Sequence, residues 1–373
     1  MKILVLTTWF PSQGSPAQAP FNLEHAKAIQ LRHDVRVLHV RLGSGLPAAT
    51  ETYAGLPVHR VSLDPRRPWT ALSVLRLLLR ECSTADVLHT MAFSSALVAA
   101  LPAVLGRIPW VHSEHWSGVT NPRNVAGLWP RFAWLRWVLR LPHAVTGVTA
   151  ELVEKLQAFA RPQAAVLVPC VVANDRPLRP LPGRERLLLA AVGGLVPGKR
   201  PLLAIRTIAA LKESGHDVHL SWVGDGPLRR EAEELIAELE LGGNVTLVGA
   251  VPPAEVFPFF EQAHLFFLPT AHENFFTSAA EALSAGRPVV VPRVGGFTDY
   301  VTEANGVLVD DASPESLAEA IVAARRTFAG VDPSIIAEPI RARFSRTTVG
   351  RHFEDVYGRV FAGTGPSRRS RRE

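Results

Sequence analysis

The sequence predicts an α/β protein of two doubly wound domains in tandem, and three observations carry that prediction. At 373 residues the chain is longer than one hydrophobic core usually organises. Short apolar runs rich in β-branched residues recur along it, separated by intervals long enough for helices. That rhythm breaks once, at a proline-rich stretch near the middle, and then restarts. With 47% hydrophobic and 20% charged residues, the composition can fill two cores and does not resemble that of a disordered chain.

In the N-terminal half the strand-like runs are Ile3 to Thr7, Val35 to Val40, Val87 to Met91, Trp110 to His112 and Ala144 to Thr149. They define an N-terminal Rossmann-like domain over residues 1–173. Residues 174–184, with Pro177, Pro180 and Pro182, read as a linker. A second Rossmann-like domain, residues 185–346, then offers strands at Leu187 to Val192, Val218 to Val223, Val245 to Val248, Leu265 to Leu268, Val289 to Val291 and Val307 to Val309. Their unbroken apolarity suits parallel strands covered on both faces. A last helix is predicted over 347–362 and a disordered basic tail over 363–373. Two such domains facing each other would bring both sets of strand-end loops to one cleft, where doubly wound sheets bind ligands.

Met1 to Thr7 is too short for a signal-peptide core, and Ala92 to Leu105 too short and too interrupted to cross a bilayer. Cys82 and Cys170 form no framework, so the cytoplasm is the expected compartment, possible contact with its membrane aside. A net charge of +6 fits an anionic membrane surface, phosphate-rich small ligands or merely an arginine-rich composition, and no nucleic-acid partner is expected. Trp129 to Arg140 is aromatic and basic at helical spacing. It reads either as an ordinary helix burying its tryptophans or as a helix resting on an anionic membrane.

The chemistry concentrates after the strand ending at Leu268. Glu273 and Glu281 are separated by seven residues; if Glu273 sits on a loop and a helix starts near Ser278, both can face one cavity. The helix N-terminus at Thr277 and Ser278 then offers N–H groups and positive dipole to a diphosphate. One carboxylate can accept a ribose diol and the other a sugar hydroxyl. Ser278-x-x-Glu281 equally fits a capping box, in which Glu281 only satisfies a backbone N–H. Further on, Gly295 and Gly296 follow a strand, where adjacent glycines allow close approach of backbone to a ligand or simply a tight turn.

Together these residues resemble the retaining glycosyltransferases of the large GT4 family, whose two-domain architecture is called GT-B. The carriers are Glu273 and Glu281 in the E-x7-E pattern, Glu281-Ala282-Leu283 with Gly286 and Pro288-Val289-Val290, Gly295-Gly296 with Asp299, Val223-Gly224-Asp225-Gly226-Pro227-Leu228, and Val192-Gly193 with Leu195-Val196-Pro197 and Lys199. The resemblance implies a donor diphosphate near Gly193, Lys199 and the helix N-terminus, ribose on Glu281, and the transferred sugar on Glu273 and the Gly295-Gly296 loop. Pro109 to His115 is similar to the family's strand ending in a histidine that faces the donor sugar. Spacing from Pro109 selects His115, with His112, Glu114 and His89 as competitors.

The chain departs from the family at Gly194, where an arginine is usual, so that Arg200 or Arg293 is left to meet the diphosphate. It departs again at Phe276, where the family has glycine, and at Cys170-Val171, where it has Asn-Gly. The implied function is transfer of a hexose-type sugar from a UDP- or GDP-sugar to a saccharide, lipid-linked or small-molecule acceptor, with retention, no cofactor and no metal. A nucleotide-sugar epimerase and a non-catalytic sugar-nucleotide-binding partner are the alternatives. Gly193 to Lys199 also spells the start of a phosphate-binding loop of nucleotide triphosphatases, but Arg200 and Pro201 stand where a magnesium-binding hydroxyl should follow. No Asp-x-Asp occurs, and no histidines have metal-ligand spacing.

Overall fold

Every apolar run picked out above becomes a strand, and the strands assemble into two sheets. The computed structural model describes residues 1–363 except 17, 44, 117, 123–126, 128 and 184. It divides into two units, Met1–Val171 with the chain from Arg346 onward, and Val172–Ser345.

The first unit is built on β1 (Lys2–Thr7), β2 (Asp34–Leu42), β3 (Ala49–Tyr53), β4 (Leu56–Leu63), β5 (Val87–Met91), β6 (Trp110–Glu114), β7 (Ala144–Gly147) and β8 (Ala165–Leu167). Their order in the sheet is β3-β4-β2-β1-β5-β6-β7-β8, with every pairing parallel except β3 against β4. The central strand β1 is buried from Ile3 onward because helices cover both faces. Those helices include α1 (Pro20–Gln30), α2 (Trp69–Thr84) and α3 (Phe93–Gly106); after β6 come a single turn, α4 (Trp129–Phe132), and later α5 (Ala150–Gln157).

The second unit has β9 (Leu187–Val192), β10 (Val218–Val223), β11 (Val245–Gly249), β12 (Leu265–Phe267), β13 (Val289–Pro292) and β14 (Gly306–Val309), in the order β11-β10-β9-β12-β13-β14, all parallel. The chain winds outward one way from β9 and then the other way from β12. The loops after these two strands therefore lie where the winding direction reverses, at the crevice where open α/β sheets take ligands. Its helices are α6 (Pro201–Glu213), α7 (Arg229–Glu238), α8 (Phe257–Glu261), α9 (Thr277–Ser284), α10 (Pro314–Thr327) and α11 (Pro333–Phe344). The final helix, α12 (Arg346–Gly363), belongs to the first unit and packs on α1. Gly350 makes that approach possible, since a Cβ there would lie 2.5 Å from the Ala28 carbonyl oxygen.

Several expectations change. The segment expected as a linker, as far as it is described, is held by the second unit. The Asn174 amide donates to the Ser284 carbonyl oxygen at 2.9 Å, and the wholly buried Arg287 donates to the carbonyls of Arg179 and Pro180 as well as Phe260 and Glu261. Prolines leave carbonyls in this stretch without a strand or helix to join, and the guanidinium supplies the donors. Residues 129–140 are not one helix: after α4 the chain tightens into 3-10 turns over Ala133–Arg140, and Trp134 and Trp137 remain exposed. The hairpin β3–β4 and the short β8 have no counterpart among the predicted strands. The basic tail lies, from residue 364, outside the described residues.

Candidate functional site

The loops after β9 and β12 meet at the crevice of the second unit. After β9 the chain passes Gly193 and Gly194 and makes a 3-10 turn over Pro197–Lys199. After β12 it runs through Pro269, Thr270 and Glu273 into α9. Two hydrogen bonds join these loops: Ala271 N–H to the Gly198 carbonyl at 2.8 Å, and the Thr270 hydroxyl to the same oxygen at 3.1 Å. Across this junction the Lys199 ammonium pairs with the Glu273 carboxylate, which also accepts from the Thr270 hydroxyl at 3.0 Å. Lys199 further lies 5.6 Å from the centre of the Phe276 ring. A cation and a carboxylate, both partly exposed, are thus presented side by side at the place where open α/β sheets generally take ligands.

Phe276 is the hinge between loop and helix. Its backbone is left-handed, with φ 57° and ψ 62°, and it precedes α9 with no side chain capping the helix. The helix begins at Thr277, so Ser278 lies inside the first turn and not at the N-cap position that the alternative reading, a capping box, requires. Without the cap, the first-turn N–H groups of Thr277 and Ser278 are the ones a ligand anion would meet. Glu281 follows one turn into α9 and is half-buried.

The glycine pair has a function that the sequence reading did not assign. Gly295 has φ 77°, and a Cβ there would lie 1.8 Å from the Glu273 carbonyl oxygen, which accepts the Gly296 N–H at 3.3 Å. The pair therefore seats the backbone of Glu273 and fixes where its carboxylate emerges. Tyr300 adds a second restraint, its hydroxyl donating to the carbonyls of Phe275 and Phe276. On the β9 side, Gly224 fits against Gly193, where a Cβ would lie 2.1 Å from the Gly193 oxygen; the Trp222 indole N–H donates to that oxygen at 2.8 Å. Thr270, Tyr300 and Trp222 escaped the sequence reading because their contribution is to hold backbone, which no spacing rule encodes.

Of the arginines proposed to replace the family's missing one, Arg200 stands at the N-cap of α6 beside Lys199 and is partly exposed. Arg293 instead pairs with Asp310 at 2.7 Å on the far side of β13 from β12.

In the first unit, the carboxylate of Glu114 organises the end of β6. It accepts the N–H groups of His115 and Trp116, each at 2.9 Å, and meets His112 Nε2 at 3.2 Å. His112 also bonds Thr90, while His89 bonds Tyr357 and Ser113 with its two ring nitrogens; both histidines are wholly buried. Among the four competing residues, only His115 keeps access to the surface. Its ring lies tilted against Phe21, 4.5 Å between centroids, and its Nε2 lies 3.2 Å from His25 Nδ1. Burial, and after it the neighbouring His25, His112 and His89, hold the His115 pKa well below its usual value, so the ring is neutral at physiological pH.

A histidine cluster that sequence spacing could not reveal also forms here. Ligand atoms of His25, His115 and Cys170 lie within 4.8 Å of one another. Burial pushes the Cys170 thiol far up, and both ring nitrogens of His25 are engaged, with His115 and with the Pro169 carbonyl. In this arrangement a hydrogen bond joins the two rings, and the thiol lies buried beside them.

Comparison with known proteins bears on the family and the fold. The profile of the glycosyl transferases group 1 matches residues 178–324, and that of glycosyltransferase family 4 matches residues 21–176. A 2-deoxystreptamine glucosyltransferase of Streptomyces kanamyceticus is 28% identical over 221 residues, 56% of this chain and 56% of that protein. The chain thus spans little more than half the length of this relative. A D-inositol 3-phosphate glycosyltransferase of Acidothermus cellulolyticus is 27% identical over 83% of this chain and 76% of its own length. The structure of Anabaena HepE in complex with UDP-glucose matches 96% of this chain and 99% of its own, with a TM-score of 0.75 at 19% identity, and so shares the GT-B fold. Two contiguous family matches, one on each doubly wound unit, place the chain in the family 4, group 1 glycosyltransferases.

Proposed function

We propose that the protein transfers a hexose-type sugar from a nucleotide diphosphate sugar to a saccharide, lipid-linked or small-molecule acceptor, with retention of configuration. The observation that carries this reading is the pairing of Lys199 with Glu273 at the crevice beside the uncapped start of α9. A diphosphate is neutralised by the Lys199 ammonium, the Arg200 guanidinium and the N–H groups of Thr277 and Ser278. Released from Lys199, the Glu273 carboxylate accepts hydroxyls of the transferred sugar, and Glu281 accepts the ribose diol. The seating of Glu273 on Gly295 and Gly296 keeps its carboxylate in place during that exchange. His115, being neutral, offers the sugar a hydrogen bond without adding a charge.

UDP and GDP are the proposed donor nucleotides, and the complex of HepE with UDP-glucose supports the first. A cytoplasmic location is supported by two cysteines, Cys82 and Cys170, that are buried and form no disulfide.

Incubation of the purified protein with a panel of nucleotide diphosphate sugars, without acceptor or added metal, tests the reading through release of free nucleotide. Release from one donor, lost in Glu273→Ala, is the expected result. Conversion of a donor without release would instead identify an epimerase, and failure to bind any donor by calorimetry would overturn the enzymatic reading.

A further inference from the structure

The first unit carries a surface that its own fold does not use. In the 3-10 stretch after α4, residues three apart stand in one row. Arg131, Trp134, Trp137 and Arg140 occupy such a row and all four are exposed, with Trp134 at 63%. Arg140 places its guanidinium over the face of the Trp137 ring, 4.3 Å from its centre, which holds the charge and the indole together at the surface. Helix α3 packs beside this stretch and exposes Leu101, Val104 and Leu105, spaced three and four apart on one face. Phe132 is exposed as well.

Charge decides what such a surface meets. Between residues 87 and 150 the chain has five arginines and a single acidic residue, Glu114, which is wholly buried. The apolar row of α3 and the arginine-tryptophan row themselves carry arginines and no acidic residue; Asp86 and Glu151 stand just outside this stretch. A second copy would bring the same uncompensated charge to the contact and be repelled. An anionic lipid surface supplies both missing complements: phosphates for the arginines, and an interfacial zone where indoles rest with the ring in acyl chains and the N–H in water.

We propose that this face, Arg131, Trp134, Trp137 and Arg140 with Leu101, Val104 and Leu105 of α3, docks on an anionic phospholipid bilayer. No described helix is long and apolar enough to cross a membrane, so the contact is peripheral and reversible. It does not depend on donor identity, because all of its residues lie in the first unit and none belongs to the donor site.

The test is sedimentation of the full chain with vesicles of phosphatidylcholine alone and of phosphatidylcholine with about one-third phosphatidylglycerol. Binding is expected only to the second and should weaken as salt rises. Trp134→Ser with Trp137→Ser should lower vesicle partitioning at least tenfold, and Arg131→Glu with Arg140→Glu should abolish it. These side chains are exposed, so the unfolding temperature of each double variant should match that of the parent. Brominated lipid should also quench the fluorescence of the unaltered protein, a readout that no variant can confound. Equal binding to both vesicle types, unchanged binding by the tryptophan variant, or no quenching would overturn the proposal. A concentration-dependent dimer abolished by the tryptophan variant would assign the face to a second copy instead.

Discussion

Substitution of Phe276 separates two effects that the native residue combines. The ring is 3% exposed and packs edge-on against Phe266 and Phe297, at 5.8 and 5.0 Å between centroids. Its loss in Phe276→Ala should cost about 3–5 kcal/mol. Alanine, however, still carries a Cβ at φ 57°, where left-handed backbone costs a side-chain-bearing residue about 1–2 kcal/mol. Phe276→Gly loses the same ring but not that strain, at about 0.5–1 kcal/mol of extra flexibility in the unfolded chain. Glycine should therefore be the less damaging substitution, by about 0.5–1 kcal/mol, the reverse of the order expected inside a helix. Urea unfolding, followed by hydrogen exchange in peptides covering residues 265–300, reports this region of the second unit. A Phe276→Ala protein as stable as Phe276→Gly, or more so, would refute the assignment of strain to this position.

Lys199→Ala should weaken calorimetric binding of the free nucleotide diphosphate by about 10- to 100-fold, the value of a charged hydrogen bond to phosphate. Gly295→Ala forces a Cβ against the Glu273 carbonyl and should reduce donor turnover by about 100-fold, measured as kcat/KM, because the displaced carboxylate no longer meets the sugar. Arg287→Lys leaves several carbonyls without donors and should lower stability by about 3 kcal/mol, visible as a fall in unfolding temperature. Acid should destabilise the first unit. Burial lowers the His25 pKa from 6.5 to about 4, so between those values the unfolded chain binds a proton that the native one refuses. Stability is then lost as pH falls from about 6.5 towards 4, by about 2 kcal/mol at pH 5 from His25 alone, and urea midpoints at pH 7.5 and 5.0 measure it.

The strand pattern was legible because parallel strands buried on both faces must be apolar throughout, and each run read as a strand became one, while the longer apolar stretch from Ala92 to Leu105 became α3. The edge of the first sheet obeys a different rule. Strand β3 is half polar, and the β3–β4 turn is made by Ala54 and Gly55, both with positive φ, where Asn-Gly would have announced a hairpin. Arg60, on β4, looks like a surface charge in the sequence. It is buried instead against Glu51, His39 and the Pro11 carbonyl, contacts between segments no local pattern relates. The residues 129–140 misled for a similar reason: helical periodicity records apolar and polar spacing, but not whether a partner exists to bury the apolar side.

The candidate site was legible through its charged residues and illegible through what aims them. Glu273 and Lys199 are 74 positions apart, and nothing in either segment states that they touch; the strand order does, by placing β9 next to β12. Their contact also bears on how a donor binds. With no donor present each group compensates the other, so neither stands as an isolated charge in a partly buried crevice. Under the proposed function, an entering diphosphate would take the ammonium and return the carboxylate to the sugar hydroxyls, replacing one ion pair by another plus new hydrogen bonds. Selectivity then follows from the carboxylate as much as from the cation: a free diphosphate displaces Glu273 from Lys199 and leaves it unpaired, whereas a sugar-bearing donor supplies the hydroxyls that take the ammonium's place. On this argument Glu273→Gln should narrow the difference in affinity between the donor and its bare nucleotide diphosphate, chiefly by improving the latter.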